Sequence, residues 1–120
     1  MFLILLTYVR PLDVVDELLP AHRQWLEAHY ADGTFLLSGR QEPRTGGVIL
    51  ANGPDRRRIE EICASDPFAL AGAATHAIVE LVATKGDVTR LSDAVTAALT
   101  GSSGSDGRRG PGAVGEGSAS

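Results

Sequence analysis

The chain has 120 residues, 43% of them hydrophobic, a size and composition that fit a single domain with a hydrophobic core. The lone cysteine, Cys63, excludes an internal disulfide and a cysteine-based zinc site, and it suits a reducing, cytoplasmic location. The formal net charge of −4 argues against nucleic acid as a partner, because binding to a phosphate backbone draws on clustered basic charge.

The chain opens with an apolar stretch over residues 2–9, which we interpret as a strand. Apolar side chains occupy both alternating faces of this stretch, as in a strand that is covered on both sides. The stretch is too short to cross a membrane as a helix, and it lacks the basic region that precedes the apolar part of a signal peptide. We therefore predict neither a membrane partner nor a secretion signal.

A helical pattern follows, with its apolar and aromatic side chains on one stripe: Leu18, His22, Trp25, Leu26 and His29. Proline is tolerated in the first turn of a helix, so we expect the main helix to begin at Pro20, with residues 12–19 forming a separate turn or short helix. On this interpretation His22 lies near the positive end of the helix, which favours a neutral imidazole. Gly33 is expected to cap the helix in the left-handed conformation.

An antiparallel hairpin and a second helix are predicted next. The two strands cover residues 34–37 and 48–51, and the segment between Gly39 and Gly47 connects them. The helix opens near Pro54, which suits a first turn.

The only basic cluster of the chain lies in this second helix. At helical spacing Arg56 faces Glu60, and Arg57 faces Glu61. We interpret the cluster as a solvated, charge-compensated helix face and not as a binding site for nucleic acid.

The last predicted elements are a strand over residues 75–84 and an amphipathic helix over residues 88–99. In the strand, His76 and Ile78 share one face and Ala77 lies on the other. From residue 101 to residue 120 the chain consists of glycine, serine and single charges without apolar periodicity. This tail is predicted to be disordered.

The element order β-α-β-β-α-β predicts an α+β, ferredoxin-like fold over residues 1–100, with helices on one face of a four-stranded antiparallel sheet. The strands carry apolar residues on both faces, so the second face of the sheet needs a cover. A second copy of the sheet is the simplest cover. We predict a homodimer of the dimeric α/β barrel type, with Ile78 in its interface. The alternative is that the C-terminal helix folds back over this face.

His22 and Asp66 are candidates for acid/base chemistry. Each has a structural alternative, since His22 could be a satisfied core residue and Asp66 could simply cap a turn that begins at Pro67. A carboxylate that binds one ring nitrogen of His22 would fix its tautomer, raise its basicity and leave the other nitrogen for substrate. The two residues would then form a minimal acid/base dyad.

Other polar residues give weaker signals. Ser38 and Arg40 could bind a carboxylate or phenolate oxygen, although Arg40 could equally be an exposed loop residue. His22 and His29 share a helix face but lie two turns apart, about 10 Å, which is too far for one metal ion. The sequence leaves open whether His76 points into a pocket or into the dimer interface. The glycines form no dinucleotide-binding pattern, so no metal and no cofactor is predicted.

Several elements, taken together and in this order, resemble the YCII-related family. They are His22 with Trp25-Leu26, the stretch from Gly33 to Gly39 with Ser38, the pair Gly46-Gly47, and Asp66-Pro67-Phe68. The resemblance covers about residues 1 to 84 and implies a small α+β dimer related in fold to muconolactone-isomerase-like proteins.

The resemblance also implies a functional site. It places His22 and Asp66 at the positions of the family's acid/base dyad, with Trp25, Ser38 and Arg40 as candidate substrate-binding residues. At least one branch of the family catalyses dehydrochlorination of a chlorinated hydroquinone. The expected function is thus a cofactor-free isomerisation or elimination on a small cyclic or aromatic compound. The alternative is a non-enzymatic dimeric protein that binds a small molecule or has an accessory role.

Overall fold

A computed structural model describes residues 1–101 of the chain. Residues 1–82 belong to one compact unit, and a second unit begins at Ala83. The first unit contains strands β1 (Phe2–Tyr8), β2 (Phe35–Arg40), β3 (Gly46–Ala51) and β4 (Ala74–Glu80), and helices α1 (Leu12–Ala31), α2 (Arg56–Ala64) and α3 (Pro67–Leu70). Within the second unit, the described residues form helix α4 (Val88–Leu99).

The four strands form one sheet in the order β2-β3-β1-β4, and every neighbouring pair is antiparallel. This order, with one helix between β1 and β2 and two between β3 and β4, is the ferredoxin-like arrangement. The predicted α+β fold is confirmed. β4 lies at one edge of the sheet and carries His76.

The two faces of the sheet differ in burial. In β1, Phe2, Ile4 and Leu6 are buried, whereas Leu3 and Leu5 on the other face are partly exposed. Ile78 pairs with Ile4 and packs against the buried core, so it lies on the covered face. The prediction that Ile78 lies on the face available to a second copy is therefore wrong.

Helix α1 is longer than predicted, because it begins at Leu12 and runs through Pro20 without a break. Pro20 is exposed, and so is Asp16, the residue whose backbone carbonyl loses its helical partner. A proline inside a helix costs about 3 kcal/mol. The buried stripe runs on across the proline from Val15 to His22 and Leu26, and its packing outweighs that cost.

Two glycines are required by the backbone. Gly33 has a φ of 84° just after α1, the left-handed conformation predicted for the end of this helix. At Gly46 a Cβ atom would overlap the backbone oxygen of Leu6. The first residue of β3 must therefore lack a side chain.

Helix α2 begins after Asp55, whose side chain accepts a hydrogen bond from the backbone N–H of Arg58. Arg56 and Glu60 form the predicted i,i+4 ion pair, and so do Arg57 and Glu61. The predicted tail of residues 101–120 lies, apart from Gly101, outside the described residues. No helix within residues 1–101 has the length and apolar character needed to cross a bilayer.

Candidate active site

The site is centred on the carboxylate of Asp66, which is completely buried. Asp66 is the N-cap of α3, and its Oδ1 accepts a hydrogen bond of 3.0 Å from the backbone N–H of Phe68. The same oxygen lies 2.8 Å from Nδ1 of His22, and Oδ2 lies 2.8 Å from Nε2 of His76. Asp66 thus fills the predicted capping role and also joins two histidines that are distant in sequence.

Hydrogen bonds keep this buried carboxylate ionised. Burial by itself raises the pKa of Asp66, but the hydrogen bonds from His22 and His76 outweigh it, and the pKa lies below its usual range. An ionised carboxylate can only accept hydrogen bonds, so both histidines must donate to it. A neutral His22 therefore carries its proton on Nδ1, and a neutral His76 carries its proton on Nε2.

His22 is fixed from several sides. It is completely buried, and its ring stacks on the ring of Phe68 with centroids 4.1 Å apart. Its Nε2 atom is buried and has no hydrogen-bond partner within residues 1–101. Because α1 begins at Leu12, His22 lies in the middle of the helix. The prediction that the positive helix end favours its neutral form is therefore wrong, since that effect is confined to the first turn.

The third member of the site, His76, was not identified as a site residue from the sequence. It lies on edge strand β4, directly opposite Leu6 of β1, and shares a face with Ile78 as strand alternation predicted. Its side chain is 7% exposed. The alternation of side chains along β4 could show which face His76 occupies. Its hydrogen bond with Asp66 could not be predicted in this way, because it depends on the tertiary position of α3.

Trp25 lies beside the histidine pair. Its ring centroid is 5.4 Å from that of His22, and its indole N–H donates to the backbone oxygen of Ile62 and to Oγ of Ser65. These bonds occupy the only donor of the indole. The contact of Trp25 with His22 is therefore made by the ring face and edge.

Ser38 and Arg40 lie apart from this cluster. Ser38 is buried, and its hydroxyl lies 2.7 Å from the hydroxyl of Tyr30. Arg40 is exposed at the end of β2. Since β2 and β4 form opposite edges of the sheet, Arg40 is three strand spacings, about 14 Å, from His76.

The remaining candidates also have defined places. His29 lies against the edge of Trp25, and its Nδ1 is 3.1 Å from a carboxylate oxygen of Asp32. Burial raises the pKa of Cys63 to about 12, so its thiol stays protonated at neutral pH. Among residues 1–101 no three histidine, cysteine or acidic side chains are arranged to hold a metal ion.

Comparison with protein families matches residues 1–82 to the YCII-related domain. The chain belongs to the YCII-related family. The matched segment contains the whole Asp66 cluster. A search of curated protein sequences found no significant match.

Among solved structures, the chain is similar to 5-chloro-2-hydroxyhydroquinone dehydrochlorinase (TftG) from Burkholderia phenoliruptrix AC1100, in complex with 2,5-dihydroxybenzoquinone. The TM-score is 0.59 at 19% identity, and the match covers 70% of this chain and 96% of the dehydrochlorinase. At this identity the similarity shows that the two proteins share a fold.

Proposed function

We propose that this YCII-related protein is a small cofactor-free enzyme in which His22 and Asp66 move a proton on a small cyclic or aromatic compound. The reaction class is isomerisation or the elimination of a leaving group, as in dehydrochlorination. The fold shared with a dehydrochlorinase and the 2.8 Å contact between His22 and Asp66 support this proposal.

The observation that carries the proposal is the unpartnered Nε2 atom of His22. A buried polar atom without a hydrogen bond costs about 1–3 kcal/mol. A histidine with only a structural role would recover that free energy by binding a neighbouring polar group. Nε2 is instead an unused proton acceptor, because Asp66 holds the neutral imidazole of His22 in the tautomer with its proton on Nδ1.

The chemistry follows from that tautomer. Nε2 takes a proton from a carbon or oxygen atom of the substrate, and the electron pair of the broken bond stays on the substrate. The carboxylate of Asp66 stabilises the imidazolium that forms. In an isomerisation the proton returns to a different substrate atom. In an elimination the electron pair expels the leaving group, and the imidazolium then releases its proton.

A second function, that of a non-enzymatic accessory protein that keeps His22 and Asp66 for its structure, is favoured by one observation. His22 and Asp66 are both 0% exposed, so a compound reaches Nε2 only after neighbouring side chains move. A protein that keeps the pair solely to stabilise its core would show the same burial.

A substrate panel separates the two functions. The protein is incubated with chlorinated hydroquinones, read by chloride release, and with unsaturated lactones, read by absorbance. His22→Asn removes the base, and His29→Asn is a matched control on the same helix. We expect turnover by wild type and by His29→Asn, with a loss of about a hundredfold or more in His22→Asn. Equal turnover in all three proteins would refute the acid/base role of His22.

A further inference from the structure

We infer that His76 is a third functional residue, and that the cleft beside it binds a small, uncharged ring that bears a hydroxyl group. The chemistry of this inference rests on the proposed function, whereas the binding of the ring does not. Four features of the described residues carry it: the accessible nitrogen of His76, the cleft at the sheet edge, the charge of its walls, and the shared carboxylate.

His76 has one nitrogen that is available to a ligand. Its Nε2 binds Oδ2 of Asp66 at 2.8 Å. Its Nδ1 makes no hydrogen bond within residues 1–101 and, unlike Nε2 of His22, is not among the fully buried unpartnered atoms. Since Nε2 carries the proton in the neutral ring, Nδ1 is a free acceptor. His76 is thus the member of the cluster that a molecule can reach without displacing the core.

A cleft of about 640 Å³ opens at this point, between α2 and the edge strand β4. Its volume lies in the range of about 300–1,000 Å³ that is typical of small-molecule sites. Small side chains, including Ala64, Ala69 and Ala74, form much of its wall, and His76 is the histidine among its lining residues. This combination leaves room for a ring beside one proton acceptor.

The charges of the wall favour an uncharged ligand. The guanidinium of Arg56 lies 3.3 Å from the carboxylate of Glu60 and donates to the backbone oxygen of Ile78. Its positive charge is thus compensated by a neighbour in the same cleft. The thiol of Cys63 is neutral because its pKa is raised to about 12. The wall therefore offers no uncompensated charge that would select a carboxylate or a phosphate.

A ring hydroxyl has a defined role in this position. It donates to Nδ1 of His76, and when the O–H bond breaks the proton joins Nδ1 and the electron pair stays on the ligand oxygen. The imidazolium is stabilised by Asp66, the carboxylate that also binds His22. Because His22 and His76 share this carboxylate, protonation of one ring changes the electrostatic environment of the other.

The test follows the three histidines of the full-length protein by NMR, with ring-labelled histidine and assignment by single His→Gln variants. Resorcinol is the neutral probe, and benzoate is an anionic ring of similar size. Ala64→Trp places a bulky group in the cleft at an exposed position, and Ala28→Trp is the matched control on α1. Binding is measured without turnover, so the result is independent of the experiment on His22.

We expect resorcinol to shift the signals of His76 saturably, to leave those of His29 unchanged, and to bind more tightly than benzoate. Ala64→Trp should weaken resorcinol binding by about tenfold or more, a change of 1.4 kcal/mol or above, and Ala28→Trp should not. The inference is overturned if His76 shows no saturable shift, if only His22 responds, if Ala64→Trp binds as wild type, or if benzoate binds equally well. Binding at His76 without turnover that depends on His22 would support the inferred binding site and contradict the proposed reaction.

Discussion

The rings of His22 and Phe68 lie nearly parallel, at 15°, with centroids 4.1 Å apart. Phe68 also donates its backbone N–H to Asp66, so one residue holds both members of the pair. The segment Asp66-Pro67-Phe68 thus supplies the carboxylate that binds His22, the first residue of α3 and the aromatic ring on which His22 stacks.

Phe68→Leu is expected to loosen the His22 ring while the protein stays folded. The substitution removes the stacked surface but keeps an apolar side chain, so it should cost less than the roughly 3–5 kcal/mol of a buried Phe→Ala change. Urea unfolding gives the stability, and the NMR line shapes of His22 report its ring. Phe35→Leu is the control, because Phe35 is equally buried and contacts Trp25 and His29 instead. Equal effects of both variants on His22 would contradict the role of Phe68.

Asp66→Asn is expected to destabilise the protein at neutral pH by about 3–5 kcal/mol. An amide offers one acceptor oxygen where the carboxylate accepts three hydrogen bonds, and each buried donor that loses its partner costs about 1–3 kcal/mol. Asp13→Asn, on the exposed first turn of α1, should change the free energy of unfolding by less than 1 kcal/mol, about the usual range for surface substitutions. A stable Asp66→Asn variant would show that the histidines do not depend on the carboxylate.

The pH dependence of stability should follow Asp66. Its pKa is lowered in the folded state, so its contribution is fully present above the unfolded pKa of about 3.9 and is lost as the pH falls through the folded value. The free energy of unfolding of the wild type should therefore decrease below about pH 4. Asp66→Asn should show a shallower decrease in urea titrations over this range. If the free energy of unfolding falls equally with pH in both proteins, the acid sensitivity arises from groups other than Asp66.

The homodimer remains a prediction. A substitution at Leu5 tests it better than one at Ile78, because the sheet register places Leu5 on the partly exposed face. Leu5 lies on the partly exposed face between Val48 and Ala77. Leu5→Arg should give a folded monomer in light scattering, because an unpaired charge in a buried interface costs several kcal/mol. Leu12→Arg, at a 43% exposed position on α1, should keep the dimer mass. A dimeric Leu5→Arg variant, or a monomeric wild type, would contradict face-to-face packing.

Periodicity and turn chemistry predicted most of the fold. Strand alternation in β1 and β4, the apolar stripe of α1 and the left-handed Gly33 are local signals, and local signals were sufficient for the element order. The prediction that the main helix begins at Pro20 was wrong. The cost of a proline inside a helix, about 3 kcal/mol, is outweighed by the tertiary packing of the apolar stripe of α1. The face of Ile78 was correctly grouped with His76, but only the pairing of β4 with β1 showed which face the helices cover.

The site was predicted less completely. His22 and Asp66 were identified through family resemblance, and the structure places them in contact. The bond between His76 and Asp66 joins a strand to a helix cap and has no signature in local sequence. Ser38 was selected for its hydroxyl, but the fold directs that hydroxyl to Tyr30. Arg40 follows Ser38 closely in sequence, yet β2 carries it to the edge of the sheet opposite β4.

Hydrogen exchange at carbon shows whether His22 acts as a base. Resorcinol and related hydroxylated rings are incubated with the protein in D₂O, and the loss of their ring C–H signals is followed by proton NMR. We expect wild-type protein and His29→Asn to accelerate this exchange, and His22→Asn to reduce the acceleration by about a hundredfold or more. An equal exchange rate with wild type and His22→Asn, in proteins of matched stability, would contradict the role of His22 as a base.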